Sequence, residues 1–424
     1  MENPSVVKME PPITSGRTIV AFTAYDWDHA LVVLRIVGPL QQAGMRLIHG
    51  NELDKVYPER VSLGDIVLIQ RDFPRFTSHY RQVIERAQLE GKPVVYEIDD
   101  LLLELPVEHP DRPIYYYTPA LFPMLRAIVE ADAVTTTTPP LQAYLRPFNA
   151  NTVLLPNFLD DRLWSFQAPK QKNPEGRVVI GYMGSTSHRP DLEQILPVLQ
   201  HLIVRYKEKV ILRFWGGEPP LQIRDLSNVE WIPLSLPDYP KFVSTFSQQE
   251  GDIFIAPLMD TFFNQCKSSI KFLEYSTLGV PGVYSHILPY QEVIRHGENG
   301  FLAGDNEEWE TCLTKLIESP ELRCSMGALA QQTVQEKWML SQNAGLWKDF
   351  YQRVTLTFES EREKKQPQVG VVLRVSQEVQ DWQEKLETNL REKEAELNEI
   401  KGSTAWRIVK AIWGLRVKLN PRRR

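Results

Sequence analysis

Apolar residues in this chain fall into two kinds of run that alternate along its length. Short unbroken runs at 18–23 (TIVAFT), 65–70 (DIVLIQ), 94–98 (VVYEI), 133–137 (AVTTT) and 152–155 read as buried strands. Between them, apolar positions three and four apart predict helices over about 31–43, 80–89 and 119–131, the first two ended by Gly44 and Gly91, with a second β–α unit after the first helix. A further series starts at 178–182 (VVIGY). It continues through a helix over 192–206, strands at 210–215 and 229–232, a helix at 239–246 and a strand at 252–256. Strands and helices alternating at this spacing predict an α/β chain of two Rossmann-like domains, each a doubly wound parallel sheet, facing a cleft.

The boundaries follow from breakers and composition. Residues 1–16 are Pro-rich and are expected to be a disordered tail. The first domain is expected over 17–157 and the second over 158–335, joined at Leu154-Leu155-Pro156-Asn157-Phe158-Leu159-Asp160, where two breakers follow a strand. Helices are expected over 306–318, 320–334 and 341–354. From 376 to 400, Val379, Trp382, Leu386, Leu390, Leu397 and Ile400 recur at spacings of three, four or seven, with Lys393 on the same stripe, which suggests a coiled coil or a helical hairpin arm. Trp406, Val409, Ile412, Trp413 and Val417 form one face of a basic helix, so 376–424 reads as a separate helical extension.

The stretch 252–285 (DIFIAPLMDTFFNQCKSSIKFLEYSTLGVPGVYS) carries the clearest chemical signal. It reads as strand, loop, helix and strand, with Ser268 or Ser269 able to cap the helix. In a parallel sheet such a loop lies where ligands bind, and a helix N-terminus there offers free amides to an anion. Lys271 and Glu274 are three apart on one face expected to be exposed, ammonium toward a diphosphate and carboxylate toward ribose hydroxyls. A solvated Lys–Glu pair on a surface helix is the plainer alternative.

Glu274 followed by Leu278-Gly279-Val280-Pro281 resembles the nucleotide-sugar site of the retaining GT-B glycosyltransferases of group one, or family four. The interdomain link resembles that family's "IPNGVD", and Glu292–Leu302 (EVIRHGENGFL) its "VI-HG-NG-L" segment. The first Glu of the family's Glu-x7-Glu motif falls on Cys266, so the loop Asn264-Gln265-Cys266-Lys267-Ser268 has to work differently. The resemblance implies a nucleotide diphosphate sugar as donor. Lys271 and Lys267 would stabilise the departing diphosphate, and Glu274, Gly184, Ser185, Thr186, Ser268, Ser269 and Asn264 would hold the donor. His188 and Arg189 could also reach the phosphates, although a lone loop His is more often exposed.

Acceptor contacts are expected from Asp26, Trp27, Asp28, Asp99 and Asp100, with helix capping as the alternative role of Asp28 and of the Asp99–Asp100 pair. Glu97-Ile98-Asp99-Asp100 has the look of an Asp-x-Asp metal motif, but it lies in the half opposite the donor, and no metal or cofactor is expected. The family also implies that 336–356 is a helix crossing back to the first domain, seated by Trp347 or Phe350.

Composition narrows the partners. A net charge of −6 with 42% hydrophobic and 24% charged residues gives no case for nucleic acid. Three cysteines fit neither a disulfide framework nor a zinc site, and no signal-peptide core is evident, so a cytoplasmic location is expected. From Lys401 to Arg424 there are eight Lys or Arg and no Asp or Glu, leaving −14 on the remainder (−6 less +8). That basic end suits the anionic inner face of a membrane, self-association, or docking on a partner. The resemblance implies a glycan or lipid-linked acceptor. The competing readings are a non-catalytic GT-B-like scaffold and an enzyme like the NDP-sugar 2-epimerases, acting on the donor alone.

Overall fold

The structure, a computed structural model, describes residues 16–52, 55–169, 176–234, 238–363, 367–404 and 406. The expected N-terminal tail, apart from Gly16, and the basic face at Val409, Ile412, Trp413 and Val417 lie outside the described residues. Met1–Lys365 form one compact unit and Gln366–Arg424 a second.

Two six-stranded sheets, every strand parallel to its neighbours, make up the first unit. One contains β1 (Thr18–Phe22), β2 (Arg46–His49), β3 (Ile66–Gln70), β4 (Val94–Glu97), β5 (Ala133–Thr136) and β6 (Thr152–Leu154), in the order β2-β1-β3-β4-β5-β6. The other contains β7 (Val178–Gly184), β8 (Val210–Gly216), β9 (Val229–Ile232), β10 (Ile253–Ala256), β11 (Gly282–Ser285) and β12 (Phe301–Ala303), in the order β9-β8-β7-β10-β11-β12. Central strands are apolar on both faces because helices cover both; all five residues of β3 are buried. In each sheet the strand order reverses beside the first strand, and there the helices leave by opposite faces and open a crevice at the carboxyl ends. The two Rossmann-like domains expected from the pattern are therefore present.

Local chemistry explains most of the elements. The helix after β1 runs as Ala30–Val32, a π-helical turn at Val33–Val37, and Gly38–Gln42. Pro39 has no N–H to donate, which accounts for the wider turn just before it. His29 caps this helix, its Nδ1 accepting from the Leu31 N–H at 3.3 Å, so the capping role offered for Asp28 falls to its neighbour. After β2 the expected second helix is replaced by a short hairpin, Asn51–Glu52 with Lys55–Val56, and a 3₁₀ turn, Pro58–Leu63; the intervening polar residues lack helical periodicity.

The first sheet is closed partly by residues from far along the chain. Trp347, Phe350, Tyr351 and Val354, on the helix Gly345–Glu363, pack with Ile19, Ala21, Val32, Ile36 and Leu68. From the second half, Phe263 and Cys266 are buried in the core that covers the other face of the same sheet. The second unit is described by the helix Pro367–Gly402, which carries exposed Trp382, Leu386, Leu390, Leu397 and Ile400. No helix among the described residues is long and apolar enough to cross a membrane.

Candidate donor site

The carboxyl ends of β7 and β10 meet at the crevice of the second sheet. There, a cavity of about 440 Å³ is lined by Met183–Thr186, Trp215–Gly217, Leu234, Tyr239, Phe242, Ile270 and Glu274, with Ala30 and Leu34 of the first domain opposite. A larger cavity of about 680 Å³ lies among Arg17, Ala43, Asp65, Lys348 and Gln352, at the amino end of the first sheet, away from the crevices where parallel sheets bind ligands.

Gly184 ends β7 and lines the cavity of about 440 Å³. A Cβ there would overlap the Tyr182 hydroxyl and stand 3.1 Å from the Lys271 Nζ, so glycine lets lysine, tyrosine and backbone share one corner. Lys271 sits in the first turn of the helix Ile270–Thr277. Its ammonium lies 4.6 Å above the Tyr182 ring and donates to the Tyr182 hydroxyl at 3.4 Å. Burial lowers its pKa to about 8, Asp191 and Glu274 pulling the other way and Lys267 adding to the drop. Among the described residues no carboxylate is paired with this ammonium, which leaves its charge uncompensated by direct contact.

Glu274 lies one turn on, and its face of the helix is buried rather than exposed, with only 4% of the residue accessible. The reason is the helix Tyr239–Phe246: the Tyr239 hydroxyl donates to Glu274 Oε1 at 2.7 Å while accepting from the Trp164 indole at 3.2 Å. Burial raises the Glu274 pKa to about 7 against the opposing effects of Tyr239 and Lys271. Tyr239 also reaches across the cleft, its backbone N–H donating to the Asp28 carbonyl at 2.7 Å. Sequence reasoning missed Tyr239, and nothing around it in the chain distinguishes it from any aromatic in a helix's first turn.

The loop before the helix turns away from the cavity. Cys266 is fully buried against the first domain, where the Thr138 hydroxyl donates to its carbonyl at 2.8 Å, and burial pushes its thiol up to about 12. Asn264, expected at the donor, gives its side-chain amide to Asp191 at 2.9 Å and to the Met259 carbonyl at 3.0 Å. Ser268 accepts from Asn157 at 2.9 Å, and Ser269 stands at the helix N-cap without a side-chain capping bond. Lys267 meets Asp100 across the cleft at 3.5 Å and lies 4.5 Å from the Phe263 ring centre.

His188, which a loop position would leave exposed, is 16% exposed at its side chain, and its Nδ1 is 2.9 Å from Asp191 Oδ2. Asp191 Oδ1 accepts in turn from the Met259 N–H at 2.8 Å. A His-x-x-Asp spacing at a helix start was the signal available for this pair. Arg189 is turned toward Glu218, at 3.6 Å.

On the first domain the expected acceptor residues divide. Asp26 and Asp28 are exposed at the loop after β1. Trp27 stacks on His49 at 3.8 Å and donates to the Asn51 carbonyl at 2.8 Å. Asp99 is paired with buried Arg71, whereas Asp100, 28% exposed at its side chain, faces Lys267. Burial works to raise the Asp100 pKa, but Lys267, Arg71 and His188 hold it below the usual range.

Residues 177–319 match the family model described as Glycosyl transferases group 1. In structure the chain is similar to HepE of Anabaena, solved in complex with UDP-glucose, at 14% identity and TM-score 0.51, over 81% of this chain and 100% of that one. It is similar to a sucrose-phosphate synthase of Thermosynechococcus elongatus at 13% identity and TM-score 0.55, over 80% and 100%. A third likeness is to WaaG, a glycosyltransferase involved in lipopolysaccharide biosynthesis, at 14% identity and TM-score 0.51, over 77% and 98%. No curated protein matches the chain. The fold is thus that of the GT-B enzymes, and within the second half residues 177–319 are similar to the group 1 glycosyl transferases.

Proposed function

We propose that the protein moves a sugar from a nucleotide diphosphate sugar to a glycan or lipid-linked acceptor. The observation that carries this reading is the convergence of Gly184–Thr186 and Glu274 on one interdomain cavity, with the Lys271 ammonium close behind Gly184, within the segment that matches the glycosyl transferase model. As the bond to the donor sugar breaks, negative charge builds on the diphosphate. Lys271, with Lys267 beside it, neutralises that charge, and the amides at Ser185, Thr186 and Ser269 supply further donors. Glu274 takes the ribose hydroxyls, and Asp100, with Asp26 and Asp28 farther out, contacts the acceptor. Retention of configuration is the stereochemistry proposed from the group-one resemblance, and Cys266, buried against the first domain, takes no part in sugar recognition. Peripheral binding to an anionic membrane, or self-association, is assigned to the basic end after Lys401.

Thermal shift against UDP-, GDP-, ADP- and dTDP-glucose tests the donor site. A bound donor at a hundredfold excess over its Kd adds about 2.7 kcal/mol of stability. Glu274→Ala should lose both that shift and sugar turnover. No shift with any donor and no turnover in the wild type would leave a scaffold. Deleting residues 401–424 should abolish sedimentation with anionic vesicles while sparing donor binding, and unchanged sedimentation refutes the membrane role.

A further inference from the structure

We propose that His188, oriented by Asp191, takes up a proton when the donor binds and turns Nε2–H to the donor's diphosphate. This rests on the reading of the cavity as a nucleotide-sugar site; His188 lies in a smaller pocket with Asp191, Asn264 and Lys267, whose Ser187 follows directly on Ser185 and Thr186 of the cavity lining. The geometry defines the tautomer. Asp191 accepts at Oδ1 from the Met259 N–H and the Asn264 amide and faces His188 Nδ1 at Oδ2, so its carboxylate is anchored at three points and Nδ1 carries the proton toward it. Nε2 has no hydrogen-bond partner among the described residues.

The charged groups around the ring favour an anion beside it. Lys271, on the Ile270–Thr277 helix, and Lys267, in the loop before it, both act on His188 through space, and both press its proton affinity down. With burial, they lower its pKa to about 4, so in the empty site the ring is neutral. Across the cleft, Asp100 after β4 feels the ring, and Glu108 and His109 border the same small pocket. A diphosphate placed between Lys271 and Lys267 cancels the repulsion that keeps Nε2 bare, and Asp191 then stabilises the imidazolium from behind.

The test is calorimetry of the full chain with UDP-, GDP-, ADP- and dTDP-glucose at about pH 6.5, in two buffers of different ionisation enthalpy, for wild type and His188→Gln. Sugar nucleotides are chosen because their diphosphate does not titrate near neutrality. Changes at Glu274 and Lys271 are common to both proteins and cancel in the difference. Wild type should take up roughly half to one proton more than His188→Gln. His188→Ala should weaken binding about tenfold, with His188→Gln recovering part of the loss through its amide N–H. Equal proton uptake by wild type and His188→Gln overturns the proposal. Failure of all four donors to bind overturns instead the reading of the cavity, and this proposal with it.

Discussion

The two carboxyl-terminal rims that face each other across the cleft are built on the same strand plan and treat their charges in opposite ways. On the first domain, the buried cations Arg35 and Arg71 and the half-buried Arg75 are matched. Arg35 bonds Glu97 at 2.7 Å, the Leu155 carbonyl at 2.8 Å and Asn157 at 2.9 Å, Arg71 bonds Asp99, and Arg75 meets Asp72 at 2.8 Å. On the second domain, among the described residues, Lys271 bonds a tyrosine and no carboxylate, Glu274 is held by another tyrosine, and His188 Nε2 has no hydrogen-bond partner. Matched charges hold a rim together, whereas unmatched ones leave it complementary to a charged visitor. The same cost of burying charge therefore serves structure on one side and binding on the other.

The comparison breaks most sharply at Glu97. Glu97→Ala strands Arg35 in the core and should cost about 3–5 kcal/mol in urea unfolding; a loss no larger than a surface substitution would remove the structural half of the contrast. Lys271→Met should act in the opposite direction on stability. The folded pKa of Lys271 lies below its ordinary 10.5, so its charge penalises the fold fully below about pH 8, and the penalty fades between pH 8 and 10.5. The empty Lys271→Met protein should therefore be more stable at pH 7 by on the order of 1–3 kcal/mol, the gap closing as pH rises. Its kcat/KM should fall by about 10²–10³.

A pH profile sharpens the same point. The kcat/KM of the wild type should decline above about pH 8 as Lys271 loses its proton, and Lys271→Arg, which stays charged, should move that limb to higher pH. The smallest effect is expected where the rims touch. Lys267→Met removes a cross-cleft pair that is only partly buried, and should change unfolding stability by no more than about 1 kcal/mol. A large loss there would mean that the second rim, too, depends on pairing for its stability.

Much of this was legible in the chain because strand and helix periods are local. The runs TIVAFT, DIVLIQ and VVIGY became β1, β3 and β7, and the helix over 239–246 fell where its pattern placed it. Lys271, Glu274 and Gly184 could be singled out because turn chemistry and strand ends are readable from neighbours, and the structure brings Gly184 and Glu274 to one cavity with Lys271 beside Gly184. The hairpin after β2 was missed because its element is set by what it lacks, a helical period.

What only the tertiary structure decided is which partner each polar group has. Cys266 turns to the first domain because Thr138, 128 residues earlier, receives its carbonyl. Glu274 is buried because Tyr239 lies over it, and Arg35 is matched because Glu97, 62 residues on, comes to the same edge. Those pairings depend on the packing of two sheets and the link between them. A linear sequence states where charges are, but their pairing depends on distance and burial, and both exist only after the chain has folded.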